Sequence, residues 1–91
     1  MKLQTYPNNE DGFSQWLLDY PKLAETVEQC LLTVKRTEGS SVYSDLVAGQ
    51  HAANQLYMIA GEAGFLDVAA IFYRCYELYS LALLPWCPGL P

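Results

Sequence analysis

Apolar and polar positions recur with helical period through most of the chain. The last such stretch, Phe65 to Pro85 (FLDVAAIFYRCYELYSLALLP), is apolar nearly all the way round. Phe65, Ala69, Phe72, Tyr76, Tyr79 and Leu83 fall on one face of a helix over 65–84, and Ile71, Cys75, Leu78 and Ala82 make a second. Only Asp67, Arg74, Glu77 and Ser80 mark a wet side. A surface helix needs one apolar stripe; a helix with two is buried among several neighbours or against a partner.

Upstream, residues 1–12 hold Pro7, Asn8, Asn9, Asp11 and Gly12 and read as an irregular lead-in. Phe13, Trp16, Leu17 and Tyr20 then stand at spacings of 3, 4 and 7, which predicts a short amphipathic helix ended by Pro21. Proline suits the first turn of the next helix, where its missing N–H is harmless. There Leu23, Val27, Cys30, Leu31 and Val34 form one stripe, with Lys35 and Arg36 in the last turn and Gly39 just beyond it. Ser40 and Ser41 are candidate caps for a further helix whose stripe is Val42, Leu46, Gly49, Ala53, Leu56 and Ala60. Its middle is small (Ala48, Gly49, Ala52, Ala53), which invites close approach of another helix. Gly61 and Gly64 mark a hinge, and three prolines within 85–91 predict an extended C-terminal tail.

No strand-like alternation competes with this pattern. The expected fold is a single all-α domain over 1–91: a small antiparallel bundle of three main helices, a short N-terminal one and a Pro-rich tail.

From Leu56 to Leu78 the chain resembles one tetratricopeptide unit, through Leu56, Gly64, Ala69 and Tyr73. It departs from that pattern at Tyr57 and Tyr76, where small residues are usual. Stacked repeats number three or more, and one is visible here. The stretch Ile59-Ala60-Gly61-Glu62-Ala63-Gly64-Phe65-Leu66 is similar to the motif region of a histidine phosphotransfer domain. In that family the phosphorylated histidine would fall at Tyr57 and the following lysine at Ala60. The resemblance therefore implies a helical hairpin hinged near 61–67 and no phosphotransfer.

Composition sharpens the picture. In 91 residues, 52% are hydrophobic and 16% charged, against roughly 25% charged in an average domain. So small a body cannot bury that much apolar surface, and self-association or a protein partner is expected, a homodimer first. The net charge of −5, with Arg74 the one cation after Arg36, argues against nucleic acid as a partner. Asp67, Arg74 and Glu77 argue against a membrane span, each costing roughly 2.5–3.5 kcal/mol near the bilayer centre. Met1-Lys2-Leu3 leads into polar Gln4 and Thr5 rather than a leader core, so a cytoplasmic protein is expected.

Candidate chemistry is sparse. His51 with Cys30, Cys75 and Cys87 has no C-x-x-C spacing for zinc, and His51 with Cys75 lacks an orienting third group for nucleophilic catalysis. Gly61 and Gly64 have no P-loop lysine. No metal, cofactor or enzymatic role is expected, and cysteines on apolar faces behave as small hydrophobes. The distinctive residues are aromatic and apolar: Phe72, Tyr73, Tyr76, Leu78, Tyr79 and Trp86 are the candidate binding set. They suit a protein-contact surface of an adaptor, a chaperone-like subunit or an inhibitor. The alternative is a small-molecule-binding bundle with a pocket of Phe72, Tyr76 and Trp86.

Overall fold

The computed structural model describes residues 6–86. Four α-helices follow one another: α1 (Glu10–Leu17), α2 (Pro21–Thr37), α3 (Tyr43–Glu62) and α4 (Leu66–Leu83), with a 3-10 turn at Leu84–Trp86. There is no strand among the described residues, and none of the described helices is long and apolar enough to cross a membrane.

The small residues of α3 decide the arrangement. Gly49, Ala52, Ala53, Leu56 and Ala60 are buried, and α3 packs along both α2 and α4. Lateral contacts fix the directions. Gln50 meets Ser80 and Tyr57 meets Tyr73 across α3–α4, while Gln55 meets Cys30 and Asp45 meets Arg36 across α2–α3. Each pair runs antiparallel, so α2, α3 and α4 form an up-down-up layer with α3 in the middle. The body is long and flat, 48 × 24 × 17 Å, with a radius of gyration of 14.6 Å against about 12 Å for an average domain of this length.

The turn between α3 and α4 shows how local chemistry sets this layer. Gly64 adopts φ 91°, its N–H bonds to Gly61 O, and the Phe65 N–H reaches back to Ala60 O. That is a Schellman closure, in which glycine takes the left-handed position and the next residue folds an apolar side chain back onto the helix. Phe65 and Ala60 are both fully buried. Phe65 then seats α1: Phe13 packs edge-on against it at 5.3 Å and Trp16 at 5.8 Å, while Phe13 also meets Phe72 at 6.4 Å. With Leu17 and Val27 in the same cluster, α1 lies over the seam between α2 and α4 at one end of the layer. The other end has its own cluster, Leu46, Ala53, Tyr79 and Leu83, with no part of α1 in it.

Four expectations need correction. First, α1 starts at Glu10 inside the supposed lead-in, because the Asn9 carboxamide accepts the Gly12 N–H (2.9 Å) and Glu10 and Asp11 favour the positive end of the dipole. Second, α3 is not capped by a serine hydroxyl. Ser40 Oγ bonds the Val42 N–H and Asp45 instead, leaving Val42 as the cap residue and 54% exposed. Third, Leu31 leaves the core stripe: the buried line of α2 is Val27, Cys30 and Thr37, and Leu31 stays 45% exposed on its flank. Fourth, Pro85 and Trp86 continue from α4 into the 3-10 turn rather than extending; the rest of the expected tail lies outside the described residues.

At Gly49 a Cβ would strike the ring of Tyr79 and come within 2.6 Å of Thr37 Oγ1. Overpacking of this kind costs about 1–3 kcal/mol, more than the roughly 1 kcal/mol that alanine gains in helix propensity. Gly49→Ala is therefore expected to lower the unfolding free energy in a urea titration. A gain in stability would show that Tyr79 moves aside without loss.

Candidate functional site

The six candidate binding residues are spread over four places. Phe72 and Tyr79 belong to the interior. Phe72 is half-buried against Phe13, and Tyr79 is 6% exposed. The Tyr79 hydroxyl reaches across the layer to α2, 2.8 Å from Thr37 Oγ1 and 3.0 Å from Val34 O. Thr37 Oγ1 is also 2.7 Å from Thr33 O. Two hydroxyl protons serve these three contacts. Tyr79 donates to Val34 O while Thr37 donates either to Thr33 O or to Tyr79.

Tyr73 and Tyr76 form a surface row with Tyr57 on the outer seam of α3 and α4, at ring separations of 5.2 Å (57–73) and 6.0 Å (73–76). Tyr57 comes from α3 and was not among the candidates. Its spacing within α3 falls beside the core stripe, which was the available signal. Trp86 sits at the far end of α4 on Tyr43, at 5.8 Å, both rings about half exposed. The alternative pocket of Phe72, Tyr76 and Trp86 does not assemble. Phe72 and Trp86 stand about 20 Å apart along the helix, given a rise of about 1.5 Å per residue.

Leu78, 55% exposed, is a ridge between two concavities. On its outer side is an open shelf with Tyr73, Tyr76, Leu81 and Leu84. On its inner side, beyond the end of α1, a groove of ≈ 240 Å³ runs between α2 and α4, lined by Val34, Glu38, Leu46, Cys75, Tyr79 and Ala82 among others. The second apolar face of α4 therefore opens to solvent: Ile71 is 49% exposed, Ala82 is exposed and Cys75 is half-buried in the groove wall.

The polar candidates do not converge. His51 is exposed on α3, and Cys30 is buried with its thiol donating to Gln55 Oε1 at 3.3 Å. Burial pushes the Cys30 thiol up from its ordinary range, because the thiolate is the form that loses hydration. Cys87 lies outside the described residues. Among the described residues no group of three or more His, Cys, Asp or Glu stands ready to hold a metal. The one ion pair found there is Arg36–Asp45 at 3.3 Å on the surface.

Comparison of the chain with protein-family models, with curated proteins and with solved structures gives no match.

Two outcomes follow from this geometry. Tyr79→Phe removes a buried hydroxyl and should cost about 1 kcal/mol in a urea titration, whereas Tyr73→Phe at the surface should stay within about 0.5 kcal/mol. Thiol labelling of a sample diluted to the single chain, followed by peptide mapping, should modify half-buried Cys75 well before buried Cys30. Equal rates would mean that Cys30 is not shielded.

Proposed function

We propose that the chain is a non-enzymatic protein-interaction module that pairs through the outward apolar face of α4, with a second copy as its first partner. The observation that supports this reading is the exposure of Ile71, Leu78 and Leu81 along one helix whose opposite side is already buried in the bundle. Contiguous exposed apolar side chains of this kind mark contact surfaces. The surface area agrees in direction: 6425 Å², against roughly 5,300 Å² for a compact monomer of this mass. The tyrosine row supplies amphipathic rings at the edge of the same region, a residue type favoured where contacts must be both apolar and hydrogen-bonding.

The adaptor, chaperone-like and inhibitor roles all use such a surface, and the acidic balance of −5 directs it away from nucleic acid. Sedimentation velocity on wild type, Leu78→Asp and Glu77→Ala at matched concentration tests the reading. Wild type and Glu77→Ala should sediment as the same oligomer and Leu78→Asp as a monomer, because a carboxylate buried without a partner costs several kcal/mol. Leu78 is half in water in the single chain, so circular dichroism should be unchanged in the variant. A wild-type monomer at high micromolar concentration would overturn self-association.

A further inference from the structure

The order of side-chain sizes along the outward face of α4 carries more than a general stickiness. Read along the helix it is Ile71, Cys75, Leu78, Ala82: large, small, large, small. Turn a second α4 end for end about a two-fold axis midway between Cys75 and Leu78. Ile71 then lies opposite Ala82 of the second copy, and Cys75 opposite its Leu78. The reciprocal pairs repeat the match, so each large side chain meets a small one four times over. A parallel pairing in register sets Leu78 on Leu78 and leaves Cys75 facing Cys75 across a gap. Ridges pack into grooves when bulk meets hollow, so the antiparallel arrangement is the one this sequence fits.

The structure supplies the hollow as well as the bulk. Leu78 stands proud, and the ≈ 240 Å³ groove beside it is walled by Cys75 and Ala82 of the same face and by Val34 and Leu46. Knob and hole on one surface are what an isologous contact requires, since each copy must present both. Size is not limiting: the broad dimension of the body is 48 × 24 Å, and a specific interface takes about 800 Å² per copy.

We infer that the chain forms a two-fold symmetric dimer in which α4 pairs antiparallel with α4 of a second copy, Leu78 of each seated between Cys75 and the groove of the other. This rests on the self-association reading and adds its geometry. In that register the two Cys75 residues are offset by about 4.5 Å along the axis, on helices about 8–10 Å apart, within reach of a short crosslinker. Each copy carries a charge of −5, so the repulsion between copies is screened by salt and the dimer tightens as ionic strength rises.

The experiment mixes two variants in a Cys75→Ser background, Ile71→Cys and Ala82→Cys, and treats them with a bismaleimide spanning about 10 Å, matched to that helix separation. The linked peptides are mapped by mass spectrometry beside sedimentation velocity of the wild type. The expected result is a dimer whose main crosslink joins position 71 of one copy to position 82 of the other, its yield falling at least tenfold when Leu78→Asp is added. A size-swapped double variant, Cys75→Leu with Leu78→Ala, should associate better than Cys75→Leu alone, because it restores large against small. A monomeric wild type overturns both the reading and the register. A dimer abolished by Leu78→Asp whose links join 71 to 71 and 82 to 82 instead keeps α4 as the contact and overturns the antiparallel register. A dimer indifferent to Leu78→Asp removes α4 from the contact altogether.

Discussion

One cross-layer contact sets the geometry of the end of the layer that α1 does not cover: Tyr79 of α4 spans α3 at Gly49 to bond Thr37 and Val34 O on α2. Each partner is needed for a separate reason. Without glycine the ring has nowhere to lie. Without Thr37, fully buried at 0% exposure, the phenol would keep Val34 O alone and lose its second tie to α2, a loss of about 0.5–1.5 kcal/mol. Because α2 and α4 are otherwise neighbours of α3 rather than of each other, this bond fixes how far apart their far ends stand. It thereby fixes the width of the groove above.

At the opposite end the same seam is closed by different means. There α1 lays Phe13, Trp16 and Leu17 into a cluster with Phe65, Val27 and Val68, an aromatic lid rather than a polar strut. Aromatic pairs in edge-on geometry contribute roughly 0.5–1.5 kcal/mol beyond their burial, so the lid is a strong local fastening for so short a helix. The two ends therefore differ in kind: one is dry and covered, the other is tied by hydrogen bonds and left open.

The covered end was legible in the sequence, and much of the open end was not. Periodicity placed Phe65, Ala69, Phe72, Tyr76, Tyr79 and Leu83 on one side of α4, and the structure buries or half-buries all six. The same reasoning put Leu31 in the core, since a stripe records which side of a helix is apolar without saying how wide a neighbour covers it. Thr37 was invisible for the converse reason: a polar residue carries no apolar signal, and its burial follows from a hydroxyl 42 residues away. Grouping six binding candidates was likewise a one-helix view. Only the pairing of α3 with α4 reveals that Tyr57 joins Tyr73 and Tyr76.

Length explains why an apolar face is left over at all. The eight residues of α1 extend about 12 Å and the eighteen of α4 about 27 Å, so α1 covers less than half the seam it lies on. Its C-terminal end runs through a turn straight into Pro21, which starts α2 at the covered end of the layer, away from the groove at Val34 and Ala82. At the other end of the layer nothing in the described chain overlies Leu78 and Ala82, although α2 and α4 both continue there. A second copy of α4 in the proposed register would occupy the length that α1 does not reach.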